Sequence, residues 1–321
     1  MPSVPEESEV LGWFDSLSNW GRWGDDDELG TLNLVSASKR IAATQLVRVG
    51  RTVSCAWDIG GKPPADQPFG PPQRFMVQTG QGLSDEHRVT VPYRPGDRAS
   101  GALEHLGLVY HGHTVTHVDS LSHIFWDGKM YNGKPAELVT STLGATHHAI
   151  TALRDGVQTR GVLLDVARVR GVDWLEPGVA VFPEDLEACE TFTGTRVEEG
   201  DVILLRTGYG KRAREAGPDQ VVRVGRAGWH AACLPWFRER GVAMIACDTA
   251  QDAQPSGYEA IRSPIHAVGI VAMGLWLLDN CDLEALSTVC DDLGRWEFLF
   301  TVAPLRWVGA TGSPANPVAT F

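Results

Sequence analysis

No two of the six cysteines form a Cys-x-x-Cys pair; Cys55, Cys189, Cys233, Cys247, Cys281 and Cys290 are scattered, several inside apolar runs. Such scatter predicts reduced, buried thiols in a cytoplasmic protein. The first residues lack a basic stretch followed by an apolar one, so no secretory signal is expected. Long apolar runs are missing too. The longest, Ile265 to Leu278, contains His266 and is too short to span a bilayer. Basic clusters are scarce: 28 basic against 40 acidic residues give a net charge of −12, and nothing basic is longer than Lys211-Arg212-Ala-Arg214. That balance argues against nucleic acid or an anionic membrane as partner and leaves a small molecule as the expected ligand. Arg206-Thr-Gly208-Tyr-Gly210-Lys has neither the ending of a phosphate loop nor a dinucleotide fingerprint. No internal repeat and no domain-separating linker is visible.

What is present is ordinary in bulk and unusual in one place. The 321 residues, 43% hydrophobic and 21% charged, suit a globular protein with ample core. Residues 110 to 123, Tyr110-His111-Gly112-His113-Thr114-Val115-Thr116-His117-Val118-Asp119-Ser120-Leu121-Ser122-His123, gather four of the ten histidines and an aspartate. Thr114, Val115, Thr116 and Val118 are β-branched and favour a strand, and His113, His117, Asp119 and His123 share one parity, so an extended chain sends them out by one face. A helix would stack His113 on His117 but turn Asp119 away. A lone histidine would be read as a hydrogen-bonding residue. Three in phase with an aspartate point to a divalent transition metal held by His113, His117 and Asp119, with open positions for water and substrate. His111 shares the parity but is read as a non-ligand. His123, beyond the three and able to titrate near neutrality, is assigned as general acid/base.

The run His113-Thr-Val-Thr-His117-Val-Asp119-Ser-Leu-Ser-His123 resembles the signature of the metal-dependent cyclase-like hydrolases, the group that includes bacterial kynurenine formamidase and isatin hydrolase. Val115 and Leu121 stand where that pattern usually has Gly and Pro. Asp27-Glu28-Leu29-Gly30-Thr31-Leu32-Asn33, the turn at Arg206-Thr-Gly208 and the C-terminal stretch from Pro304 are similar to the same family. The resemblance implies a further ligand at His266 and an acid at Asp279, which is one methylene shorter than the usual Glu. It implies one or two ions, Zn or Mn, and a homodimer or homotetramer.

The fold expected is α/β, a swivelling β/β/α-type domain with a mixed β-sheet flanked by helices. Gly161–Val166, Asp201–Gly208 and Gly241–Asp248 read as buried parallel strands, and Glu184–Thr191 and Gly228–Arg240 as helices between them. A helix capped by Ser36 or Ser38 is expected near the start, and His266 is expected to open an apolar helix. Arg51–Ile59 and Gln73–Gln78 suggest strands, residues 71–100 suggest a flap beside the site, and Trp296–Pro304 suggests a late strand. Residues 1–50 are read as an N-terminal segment packing on a single cyclase-like metal-hydrolase domain, 51–321. Aromatics after the motif, including Phe125, Trp126 and Tyr131, either line a pocket or pack beneath a loop, and most of the eleven tryptophans fill core.

A metal that lowers the pKa of water from ~15.7 towards ~7 suits hydrolysis of an amide, formamide, lactam or lactone. The rival readings are a lyase or cyclase acting on a small carbonyl or carboxylate compound, and a metal-loaded binding protein without turnover.

Overall fold

The computed structural model describes residues 3–81, 101–218 and 221–321. Four apolar runs, Val157–Asp165, Val202–Arg206, Met244–Cys247 and Trp276–Asp279, lie side by side as parallel strands. Val202–Leu205, Met244–Cys247 and Trp276–Leu278 are wholly buried, as strands covered on both faces must be. Antiparallel strands extend this core in both directions. Glu297–Val302, Val318–Thr320 and Thr52–Ser54 follow outward from Val157–Asp165, while His117–Asp119 and then Gly312–Pro314 follow from Trp276–Asp279. The result is a nine-stranded mixed sheet flanked by helices, the α/β arrangement expected.

The helices at Pro183–Thr193, Cys233–Arg240 and Glu284–Leu293 cover the sheet with apolar stripes. In the last, Leu286, Val289 and Cys290 are buried at the i, i+3, i+4 spacing of one helical face. Each such side chain, fully buried, contributes about 1.5–3 kcal/mol. Ser36 caps the helix Ala37–Thr44 by accepting from the Lys39 amide at 3.1 Å. Cys233–Arg240 begins later than expected, because Gly228–Trp229 is drawn into a short parallel pair with Ala180–Val181. The strand expected over Arg51–Ile59 is confined to Thr52–Ser54. Gln73–Gln78 is a strand, paired with Leu103–Gly107, and the remainder of the expected flap lies largely outside the described residues.

The run from Ile265 to Leu278 departs from the single helix expected. Pro264–His266 starts a helical turn, Ala267–Met273 continues it as a π-helix, and Trp276–Asp279 is a central strand. Gly274 makes the break, at φ +65°, where a Cβ would stand 2.5 Å from the ring of Tyr131. The first fifty residues bind to this helical piece. Asn19 donates its amide N–H to Ala272 O (2.9 Å) and its side-chain Nδ2 to Met273 O (2.7 Å), and Trp20 Nε1 donates to Val271 O (2.7 Å). Those are the carbonyls that a helix end leaves without partners. The N-terminal segment therefore anchors the element that carries His266. Among the described residues no helix is long and apolar enough to cross a membrane.

Candidate metal centre

The strand at the heart of the motif is only three residues long, His117–Asp119. It is antiparallel to Trp276–Asp279 with His117 opposite Asp279, and to Gly312–Pro314 with Asp119 opposite Gly312. His117, Asp119 and Asp279 thus share a face by strand parity. The expectation of one extended segment from His113 to Asp119 does not hold. Residues 111–114 form a turn in which Gly112 takes φ +147°, and the parity count restarts there.

The consequence is an exchange of histidines. Nδ1 of His111 lies 2.9 Å from Oδ1 of Asp119, and Nε2 of His117 lies 3.2 Å from the same oxygen. His113 is not drawn into that cluster; it lines a cavity with Arg226. On the other side of Asp119, Nε2 of His266 approaches Oδ2 of Asp119 at 3.6 Å and Oδ2 of Asp279 at 3.5 Å. Two groups of candidate ligands, His111, His117 and Asp119, and Asp119, His266 and Asp279, meet at one shared carboxylate. His123 sits beside both, its Nε2 3.9 Å from Asp119 Oδ2 and its ring stacked on His111 with centroids 3.7 Å apart.

Hydrogen bonds fix which nitrogen each ring presents. Nδ1 of His117 donates to Val115 O at 2.8 Å, and Nδ1 of His266 donates to Asp252 Oδ2 at 2.5 Å. With Nδ1 committed in this way, Nε2 is the ring atom that each presents to the carboxylates and the one a metal would take. Asp252 was not evident from sequence. Its two oxygens also accept the amides of Ile265 (2.7 Å) and His266 (3.3 Å), so it secures the start of the helical turn as well as the ring. Gln251 and Asn280 were equally hidden. Both take positive φ without being glycine, +52° and +54°. Gln251 donates Nε2–H to Asp279 Oδ1 at 2.8 Å, and Asn280 donates Nδ2–H to Gly112 O at 2.8 Å, pinning the turn that separates His111 from His113.

Comparison with known proteins bears on the family and the fold. The sequence profile of the cyclase family matches residues 66–252, more than half of the chain. The chain belongs to the cyclase family. A solved structure described as a novel cyclase is 29% identical, with a TM-score of 0.83 over 95% of this chain and 100% of its own. Isatin hydrolase A from Ralstonia solanacearum is 20% identical with a TM-score of 0.56, covering 84% of this chain and 91% of its own. The isatin hydrolase A of Labrenzia aggregata, bound to benzyl benzoate, is 18% identical with a TM-score of 0.56, covering 88% and 98%. At those identities the two isatin hydrolases share the fold. No curated protein matches the chain.

Within this cyclase-family chain the buried charges ask for a cation. Asp119, Asp252 and Asp279 expose 1%, 1% and 2% of their surfaces. Burial would raise Asp119's pKa, but His123 and His117 outweigh it and hold the carboxyl well below its usual range. Burial would lower His266, yet hydrogen bonds to Asp252 and Asp279 push it well above the ordinary imidazole value. Neither oxygen of Asp119 receives a hydrogen bond of good geometry, although both are buried. An anionic carboxylate left unsatisfied among inward-facing imidazole nitrogens is the donor set a divalent cation fits.

The strand-end polar residues Asp165, Arg206 and Asp248 are engaged elsewhere. Arg206 pairs with Asp165 at 2.8 Å and Glu284 at 2.6 Å, and Asp248 accepts from the amides of Thr207, Gly208 and Tyr209. Of the aromatics after the motif, Trp126 stacks on Phe14 with centroids 4.5 Å apart at the edge of a cavity, the buried Tyr131 donates its hydroxyl to Asp27 at 3.0 Å, and Phe125 is exposed. The six cysteines are free and buried, as expected.

Proposed function

We propose that the chain is a metal-dependent hydrolase of a small molecule, cleaving an amide, formamide, lactam or lactone bond. The observation that carries this reading is Asp119, a buried carboxylate with no hydrogen bond of good geometry at the junction of two three-residue groups of candidate ligands. His111, His117 and Asp119 would hold one divalent ion, and Asp119, His266 and Asp279 a second. Zn and Mn both suit imidazole and carboxylate donors.

Bound there, the cation supplies Lewis acidity towards a carbonyl oxygen and acidifies water near neutrality. The chain's own groups do the rest. Burial pushes the His123 imidazole down, against the opposing pull of Asp119. Beside Asp119, His123 is placed to accept a proton first and return it to the leaving nitrogen or oxygen afterwards. It stacks on His111 and lies beside Asp119. Cytoplasmic location and assembly as a homodimer or homotetramer belong to the same proposal; light scattering on the purified chain tests the assembly.

The decisive experiment measures metal content and turnover on one preparation. N-formyl aromatic amines, cyclic imides and lactones are offered to the protein as purified, after chelation, and after Zn or Mn is restored. Activity on at least one class that disappears on chelation and returns with metal is the expected result. A metal-free preparation that turns over fully sinks the reading.

A further inference from the structure

A cavity of about 800 Å³ is lined by His113, Arg223, Arg226, Tyr258, Glu259 and Arg262, among others. Three guanidinium groups face one carboxylate there, in a chain whose net charge is −12. Arg223 and Arg262 are exposed, at the rim. Arg226 differs from both in exposing only 9% of its surface. It donates Nε–H to the carbonyl oxygen of Asp252 at 2.9 Å and forms no ion pair with any carboxylate among the described residues.

A buried guanidinium is normally matched by an acid, since removing the charge from water is costly. The nearest acids are already committed. Asp252 receives the His266 ring and two amides, and Asp279 receives Gln251 while facing His266. Arg226 lines the cavity with Nε committed to Asp252, so its Nη groups are the ones left for a ligand. Its backbone is held on both sides by Gln254, whose carbonyl accepts at 3.1 Å and whose amide donates at 3.0 Å. Arg226 is fixed in place before any ligand arrives, and a fixed planar fork loses little entropy on pairing.

Resting on the hydrolase reading above, we propose that Arg226 recognises a carboxylate on the substrate, which makes the substrates acids bearing the scissile carbonyl close to an anionic group. Asp252 links the two halves of this arrangement. Its side chain orients His266 at the metal centre, and its carbonyl oxygen orients Arg226 at the cavity. The Nη pair presents two parallel donors, the geometry that a carboxylate accepts bidentately. Arg262 and Arg223 add positive potential at the mouth and draw anions in.

The test uses benzoate and its neutral isostere benzamide, titrated calorimetrically into the metal-loaded protein. Benzoate is expected to bind about tenfold tighter or more, the range of a charge-assisted pair. Arg226→Gln should remove that preference, Arg226→Lys should restore only part of it, and His117→Ala should leave it in place. No preference in the unmodified protein overturns the proposal, whatever the variants do. So does a preference that survives Arg226→Gln and vanishes with His117→Ala, because the carboxylate would then sit on the metal. A turnover arm compares 2-formamidobenzoate with formanilide. Arg226→Gln should raise KM for the acid about tenfold or more, with kcat changed far less. A benzoate preference without hydrolysis of any compound would leave the anion site standing and remove the hydrolase reading, so the two fail separately.

Discussion

Oδ2 of Asp252 lies 2.5 Å from Nδ1 of His266, and this contact decides which nitrogen of the ring faces Asp119 and Asp279. Outer carboxylates of this kind typically contribute 10–100-fold in metal affinity. Asp252→Asn keeps the size of the side chain but removes the charge that orients and polarises the imidazole. We expect the dissociation constant for Zn or Mn to rise by about 10–100-fold, read by competition with a fluorescent chelator. An unchanged affinity would mean that His266 is not a ligand.

His111 and His113 offer a direct contest. The structure puts Nδ1 of His111 2.9 Å from Asp119, whereas His113 turns to the cavity, where burial and nearby Arg226 lower its pKa to about 4. His111→Ala is expected to lower bound metal to well under half of the unmodified level, and His113→Ala to leave it essentially intact while weakening substrate binding. Elemental analysis of the two purified variants decides it. The reverse pattern would return His113 to the ligand set that strand parity alone suggests.

His123 separates chemistry from metal binding. Its Nε2 is 3.9 Å from Asp119, and it belongs to neither candidate ligand group. His123→Gln should lower kcat by about 10²–10⁴-fold, the usual contribution of a positioned acid/base, and leave metal content unchanged. Loss of metal in that variant would make His123 a ligand and remove its assigned role.

Much of the scaffold was legible because its signals are local. Val202–Arg206 and Met244–Cys247 announce themselves as apolar, partly β-branched runs of strand length. The run at 265–278 was not, because one glycine, Gly274, divides helix from strand inside an unbroken apolar stretch. At the centre, His117 and Asp119 follow from strand parity, but parity does not hold across the turn at residues 111–114, which brings His111 and not His113 beside Asp119. The His-Gly-His spacing was the available clue, since glycine inside a strand pattern often marks a bend. Asp252 and Arg226 carry no such clue. They lie in connections after and before the strand Met244–Cys247, and only the fold brings them to His266 and His113.

The thiols give a stability prediction whose sign follows from burial. All six are free and buried, and desolvation raises every one of them above the usual thiol value, Cys55 and Cys189 to about 12. In the unfolded chain they ionise near ~8.5. Because the folded state keeps its protons longer, each thiol's contribution is fully present below ~8.5 and is lost as pH rises towards the folded value. Each buried thiol thus costs about 1.4 kcal/mol of stability per pH unit inside that window. Urea unfolding with reductant should show a midpoint that falls steeply between pH 8 and pH 10, where the same native protein at pH 8 does not react with a thiol reagent. Cys55→Ala removes one such group, so its stability should fall less steeply, by about 1.4 kcal/mol per pH unit, even though the lost volume lowers its stability at pH 8. Identical slopes for the two proteins would show that Cys55 ionises as easily folded as unfolded, and that the thiol is not shut away from water.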